Sequence, residues 1–232
     1  MAKKRYRGPY VSRGGEKLRG ALDAFSFDPT GLSALDVGAS TGGFTDCLLQ
    51  AGAKHVTSLD VAYGQFAWSL RNDPRVTVIE RTNFKIIEFT NNRSDVDEGG
   101  SIKANSFDLV VADLSFISLA KLGTQFKAAL KPTGDLIVLV KPQFEASREE
   151  VPAGGVIVDP KLHASILVRL AQCFSDAGLV PVAWTYSPIK GPKGNIEFWL
   201  HARPCATIAA TKNDDSGIVR VVQQAHADLM QD

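Results

Sequence analysis

Three charged side chains stand where apolar runs stop: Asp60 after HVTSL, Asp113 after FDLVVA and Lys141 after DLIVLV. Each is either a solvated strand end or part of a binding site, because ligands of open α/β sheets bind at the carboxyl ends of the strands. The stretch ALDVGASTGGF (Ala34 to Phe44) favours a site. It reads as a short buried strand, a loop with Gly38, Gly42 and Gly43, and a helix start with Phe44, Leu48 and Leu49 on one face. Glycine lets backbone approach a ligand closely and tolerates positive φ. The helix start offers unpaired N–H groups to a carboxylate or phosphate.

Spacing narrows the ligand. A dinucleotide loop needs G-x-G-x-x-G, and this one reads G-A-S-T-G-G, with Ser40 at the middle glycine. That argues against close approach of a pyrophosphate. Asp60 is placed to accept hydrogen bonds from both ribose hydroxyls of an adenosine. A phosphate-free nucleoside such as S-adenosylmethionine therefore fits better than NAD. An ordinary βα loop whose glycines only turn the chain is the alternative. Gly38, Ala39, Ser40, Thr41, Gly42, Gly43 and Phe44 are the candidate cofactor loop, with Asp60 and Val61 at the ribose. Asn83 and Phe84 are candidates for the adenine edge and face, and Asp113 for the boundary with the reacting centre.

These residues need an alternating framework. Ser12 is a plausible N-cap for a helix with Leu18, Leu22 and Phe25 on one stripe and Lys17 at its edge. Strands follow at 34–37, 55–61, 76–81, 107–116 and 134–144. Helices are expected after Phe44, over 62–73, over 119–130 and over 161–178, the last closed by Gly178. Residues 91–106 read as a polar surface loop, and 145–160 as a glycine-containing loop long enough for a lid. LVPVAWTYSP and IEFWLHA, joined by IKGPKGN, suggest an antiparallel pair. Trp68, Trp184 and Trp199 read as core. The expectation is an α/β fold, Rossmann-like, with a mostly parallel sheet and a terminal hairpin. The domain reading is a basic arm over 1–9, one domain over 10–205, and a linker with a final helix over 206–232.

Composition excludes several classes. With 44% apolar and 22% charged residues, 232 residues can build a full core. No apolar run nears the ~18 residues of a membrane helix, and the N-terminus lacks a signal-peptide apolar region. Cys47, Cys173 and Cys205 are odd in number and scattered, which points to a reducing, cytoplasmic setting. Four dispersed histidines offer no metal-ligand spacing. Basic residues concentrate in the first 20 positions, which suits a polyanion partner; a solvated leader is the alternative for the first five.

Eight blocks then align with a family. YVSRGGEKL, ALDVGASTGGFTDCLLQAGA, DVAYGQ, RTNF, ADLSFISL, KPQFE, GGVIVDP and SPIKGPKGNIEF together resemble the TlyA-type "hemolysin A" proteins. Those are S-adenosylmethionine-dependent rRNA 2′-O-methyltransferases related to the FtsJ group. The similarity covers Tyr10 to about Arg203 and implies the seven-stranded methyltransferase fold. It implies a Lys-Asp-Lys-Glu tetrad on Lys17, Asp113, Lys141 and Glu197, and an rRNA partner with a cytidine ribose as the usual target. Family members usually begin with an S4-type RNA-binding domain, and this sequence opens immediately before the catalytic domain.

Methyl transfer from a sulfonium needs a nucleophile held close and in line. Lys141 is expected to accept or orient the 2′-hydroxyl proton. Accepting it requires the neutral amine, which burial and Lys17 would favour and Asp113 and Glu197 would oppose. Lys17 and Glu197 are expected to position and set the field, and Asp113 to bridge the two sites. A solvent-facing lysine is the alternative for Lys141, and a surface pair with Lys190 or Lys193 for Glu197. Arg5, Arg7, Arg13, Lys190 and Lys193 are the candidate RNA contacts. A non-catalytic RNA-binding protein, a membrane-active protein using the tail helix, and a dinucleotide oxidoreductase are the competing functions.

Overall fold

Alternation of apolar runs with amphipathic stretches produces three layers in the computed structural model, which describes residues 6–90, 101–205 and 215–230. The elements are α1 (Arg13–Ala24), β1 (Ser33–Val37), α2 (Gly43–Gln50), β2 (His55–Leu59), α3 (Trp68–Arg71), β3 (Val76–Ile79), β4 (Phe89–Thr90), β5 (Ile102–Lys103) and β6 (Phe107–Ala112). A 3₁₀ turn (Leu119–Leu122) leads into α4 (Gly123–Ala129), followed by β7 (Leu130–Val140), α5 (Pro142–Glu145), α6 (Pro160–Asp176), β8 (Leu179–Tyr186), β9 (Phe198–Pro204) and α7 (Asp215–Leu229).

Seven strands form one sheet in the order β3-β2-β1-β6-β7-β9-β8. The first five are mutually parallel, and β9 runs antiparallel to both β7 and β8. Strand order reverses at β1, which lies between β2 and β6, and such a switch point opens a crevice at the carboxyl edge. Val37 pairs with Leu59 on one side and Ala112 on the other, so Gly38, Asp60 and Asp113 leave the sheet at one level. On the far side Val140 pairs antiparallel with Phe198, which sets Lys141 beside Glu197.

Side chains alternate between the two faces of the strands. Leu35, Val37, Val110, Val138 and Val140 pack with Phe126, Leu170, Phe174 and Val222 of α4, α6 and α7. Ala34, Leu109, Val111, Ile137 and Leu139 pack with Leu18, Leu22, Phe44 and Leu48 of α1 and α2. Each face is thus dry, as parallel sheets require.

Several local expectations need correction. Residues 62–67 are not helical, and only the single turn α3 forms there; Gly64 at φ +71° and Ala67 at ψ 131° hold the chain open. Trp68 is 75% exposed and not core, whereas Trp199 is fully buried and Trp184 packs against the core. α4 ends at Ala129, as expected for the helix over 119–130, but β7 begins at once at Leu130 rather than at 134; Pro132 is tolerated at that exposed end, before the pairing with β9 begins. Residues 101–106 were expected in a loop, but Ile102–Lys103 pairs in parallel with Phe89–Thr90 as a small second sheet. The segments 91–100 and 206–214, which the sequence reads as loop and linker, lie outside the described residues.

Candidate active site

The glycine loop is a backbone construction. Gly38 has φ +83°, and a Cβ there would stand 2.6 Å from the carbonyl oxygen of Asp113, so only glycine lets β1 and β6 exit so closely. Gly42, at φ +94°, caps α2. Ser40 also adopts a left-handed φ of +50°, held by its N–H donating to Asp60 Oδ2 at 2.6 Å. Asp60 Oδ1 accepts from Ala62 N–H at 2.7 Å. A Cβ at Gly43 would meet Ser12 Oγ at 2.3 Å, so the start of α1 leans directly on the loop. The segment before α1 is tied down by Val11 N–H to Asp46 Oδ2 (2.8 Å) and by Tyr6 OH to Glu16 Oε1 (2.8 Å).

Loop and segment enclose a cavity of 570 Å³ lined by Arg13, Lys17, Gly38, Ser40, Thr41 and Asp113 among others. That volume lies within the roughly 300–1,000 Å³ of small-molecule sites. The residues fit S-adenosylmethionine. Gly38 leaves room that a Cβ would fill, the first N–H groups of α2 are those a helix leaves for a carboxylate, and Asp60 presents acceptors at the loop's edge.

Beneath the loop lies Asp36, fully buried on β1. Its Oδ2 accepts from Thr45 N–H (3.0 Å) and Thr45 Oγ1 (2.7 Å), while Oδ1 has no partner among the described residues. Burial pushes this carboxyl up to about 7, with Asp113 and Asp60 adding to the rise and the Thr45 bonds opposing it. Sequence reading missed Asp36 because it sits inside an apolar strand, where a carboxylate carries no visible partner.

The second half of the site rests on side chains from distant segments. Lys17 Nζ donates to Glu197 Oε2 at 2.5 Å, and both side chains are almost wholly buried. Lys141 Nζ lies 2.5 Å from Asp113 Oδ1 and donates to Ser115 Oγ at 3.0 Å. The Lys141–Asp113 approach is a charge contact off the line of a hydrogen bond, which leaves Oδ1 without a directed partner among the described residues. Burial raises the Glu197 carboxyl above the usual carboxylate range, with Lys17 and Lys141 pulling the other way and Asp113 adding to the rise.

Lys141 and Glu197 line a second cavity, of 350 Å³, walled by Phe116, Gly155, Gly191 and Asn195. Gly191 is required there, since a Cβ would meet Glu197 Oε1 at 2.5 Å. Asn195, 2% exposed, stitches the wall: its Nδ2 donates to Gly155 O (2.8 Å), and its Oδ1 accepts from Ile157 N–H (3.0 Å). Phe116 is 91% exposed at φ +65°, tilted on Phe144 with ring centroids 5.1 Å apart. A non-glycine residue held in a left-handed conformation costs about 1–3 kcal/mol, and such strain clusters at functional sites. Asn195 and Phe116 were missed in the sequence; the only signal was their place in the blocks GNIEF and ADLSF.

The four tetrad positions therefore meet. Lys17 and Asp113 face the first cavity, Lys141 and Glu197 the second, and Pro192 lines both. Among the cofactor candidates, Gly38 to Thr41, Gly43 and Phe44 line the first cavity, and Val61 is 66% exposed beside Asp60. Asn83 is exposed and its Oδ1 closes a local turn with Lys85 N–H at 3.0 Å. Phe84 is corrected: its ring is 3% exposed and packs on Phe126 and Phe89, so its face is unavailable to an adenine. Arg7, Arg13 and Lys193 are exposed, Lys190 is half-buried, and Arg5 lies outside the described residues.

Known proteins share this fold and much of this sequence. The family model described as "FtsJ-like methyltransferase" matches residues 10–204. The chain is 44% identical over 209 residues to the 16S/23S rRNA (cytidine-2'-O)-methyltransferase TlyA of Mycobacterium tuberculosis, covering 89% of this chain and 74% of that protein. It is 42% identical to the putative rRNA methyltransferase YqxC of Bacillus subtilis, covering 95% and 75%. A solved structure titled putative hemolysin, from Streptococcus thermophilus, superposes with a TM-score of 0.87 at 35% identity, covering 98% of this chain and 78% of that one.

Proposed function

The chain belongs to the FtsJ-like methyltransferase family, and from that premise we propose how its two cavities divide one reaction. It is an S-adenosylmethionine-dependent RNA 2′-O-methyltransferase, acting on rRNA at a cytidine ribose. The observation that carries this reading is the meeting of two ion pairs, Lys17–Glu197 and Asp113–Lys141, between a cofactor-sized cavity and a second one.

Gly38 to Phe44 would hold the cofactor, with the α2 N-terminus toward its carboxylate and Asp60 toward its ribose; Val61 and Asn83 flank the adenine side. When bound, the cofactor supplies an electrophilic methyl group. The chain's own task is to seat a 2′-hydroxyl and manage its proton. Lys141 Nζ holds the hydroxyl oxygen or takes the proton that leaves as the methyl ether forms. Asp113, in contact with Lys141 and on the wall of the cofactor cavity, sets one component's position against the other. The Lys17–Glu197 pair fixes the opposite wall through Gly191. Phe116 offers its face to the target base, and Arg7, Arg13, Lys190 and Lys193, with Arg5, would meet phosphates around the mouth.

This function needs no passage through a bilayer, and among the described residues no helix is long and apolar enough to cross one. A reducing cytoplasm, where Cys47, Cys173 and Cys205 remain thiols, is the proposed setting.

The test is transfer of a labelled methyl group to unmodified rRNA, with the nucleotide mapped. Lys141→Ala should leave cofactor affinity intact by calorimetry and cut single-turnover transfer ~10²–10⁴-fold, the usual weight of a positioned acid or base. Lys141→Arg should also fail, since arginine cannot accept a proton. Near-wild-type turnover of the Arg variant would reduce Lys141 to a positioning cation. No label transfer by the wild type would overturn the function.

A further inference from the structure

A third cavity, of 950 Å³, lies next to the one that holds Lys141 and Glu197, and nothing in the reaction above uses it. Phe116, Gln143 and Phe144 line both, so the tilted aromatic pair is the partition between them. We propose that this cavity receives the nucleotide adjacent to the methylated one, its phosphate held by Lys85 and Lys121. The proposal rests on the RNA reading and deepens it.

Three observations point to a strand of nucleic acid. First, Lys85 and Lys121 line one cavity, and their two segments are joined by a hydrogen bond. Gln125, one turn of chain beyond Lys121, donates its Nε2 to the carbonyl of Lys85 at 2.9 Å. Both lysines line the cavity, both are exposed, and neither makes an ion pair among the described residues. Second, the carboxylates of the cavity are already engaged. Glu145 accepts from Ser118 Oγ (2.6 Å) and Leu119 N–H (2.8 Å), and Glu150 pairs with Arg169 at 2.9 Å. Ser118 and Leu119 are neutral donors, so Glu145 keeps a charge that Lys121 feels; with Arg169 cancelling Glu150, Lys85 and Lys121 still outnumber Glu145 and the net charge of the lining is positive. Third, Gln143 Oε1 is shielded on the partition without a hydrogen-bond partner among the described residues. Buried side-chain acceptors are nearly always satisfied. Rotation of the Gln143 amide toward the cavity would let a ribose hydroxyl or a base amine supply the missing donor.

The geometry also explains why Phe116 is exposed. A target ribose drawn to Lys141 separates its base from the next one in the strand. The aromatic pair stands where that stacking is broken, which spares each base an unstacked apolar face. A phosphate beyond the partition then has Lys85 and Lys121 within reach.

The experiment measures rRNA binding and methylation by the full chain carrying Lys85→Ala and Lys121→Ala together. A control pair, Lys54→Ala with Lys103→Ala, removes two exposed lysines that line none of the three cavities. The site pair should raise the KM for rRNA about tenfold. It should also flatten the salt dependence of binding, by a slope of about 0.7–0.9 for each phosphate no longer neutralised. Its kcat should stay within about twofold of wild type, and its cofactor affinity should be unchanged. The control pair should move neither KM nor slope. Gln143→Leu should raise KM without altering the slope, because it removes an acceptor and no charge. If the site pair matches wild type while Lys141→Ala abolishes transfer, the subsite is wrong and the methyltransferase reading stands. Equal weakening by site and control pairs would also overturn it, as the signature of diffuse charge. Failure of the wild type to methylate rRNA would sink both.

Discussion

The two halves of the proposed active site are built by different means. The cofactor half is backbone: a left-handed Gly38, a left-handed Gly42, a constrained Ser40 and one carboxylate, Asp60, all within 23 residues of chain. Its positions follow from strand exits at a switch point, and side-chain identity matters mainly where a Cβ would not fit. The acceptor half is side chain: Lys17 from α1, Asp113 after β6, Lys141 after β7 and Glu197 before β9. Its central pair spans 180 residues of sequence. A backbone site tolerates substitution at its polar members and fails at its glycines. A buried ion-pair site fails when either member is removed, because the survivor is left charged in a dry place.

The sharpest way to break this contrast is at Lys17. Lys17→Met should strand Glu197 and cost about 3–5 kcal/mol of stability. The double variant Lys17→Met/Glu197→Leu should regain most of that by filling the space with apolar atoms, yet remain unable to transfer methyl. Chemical denaturation and single-turnover transfer measure the two effects. A double variant that stays as unstable as the single one would mean the pair is not the centre of this wall.

The next effect is smaller and depends on pH. The folded-state value of Asp36, about 7, lies above its ordinary 3.8. The folded chain therefore holds a proton that the unfolded chain releases, and stability falls as pH rises through roughly 4 to 7. Each tenfold difference in proton affinity between the two states corresponds to about 1.4 kcal/mol. Asp36→Asn keeps an acceptor for Thr45 and removes the titration. It should be more stable than wild type at pH 8, by a few kcal/mol at most, with the advantage fading toward pH 4. Parallel stability curves for the two proteins across that window would refute the assignment.

Asp60→Ala is expected to be the mildest. Two backbone N–H groups and the ribose would lose a shared acceptor, and S-adenosylmethionine affinity should fall by roughly 1–3 kcal/mol by calorimetry. At saturating cofactor, transfer should recover. A drop in turnover that saturation cannot restore would place Asp60 with the acceptor half and erase the distinction between the two.

How much of the molecule is legible in its sequence follows the same division. The glycine loop, Asp60 and the carboxyl-edge residues Asp113 and Lys141 are visible locally, because a strand, a left-handed turn and a helix start are consequences of neighbouring residues. The helix expected over 62–73 shrank to one turn because Gly64 and Ala67 leave helical geometry; Phe66 and Leu70 still reach the core, while Trp68 points out. Phe84 looked like a ligand contact by its place after β3, yet packing on Phe126 decided otherwise. Lys17 and Glu197 were paired on the resemblance alone; no local rule relates residues so far apart.

The sequence by itself determined an alternating α/β chain, a glycine loop and the sheet edge that carries the proposed site, since backbone preference and apolar period are short-range properties. Only the tertiary structure decided that Lys141 stands beside Glu197. That depends on the antiparallel register of Val140 with Phe198, and register is set by burial of whole strands against both helix layers. It also decided which charges are dry, and so which of them act on one another.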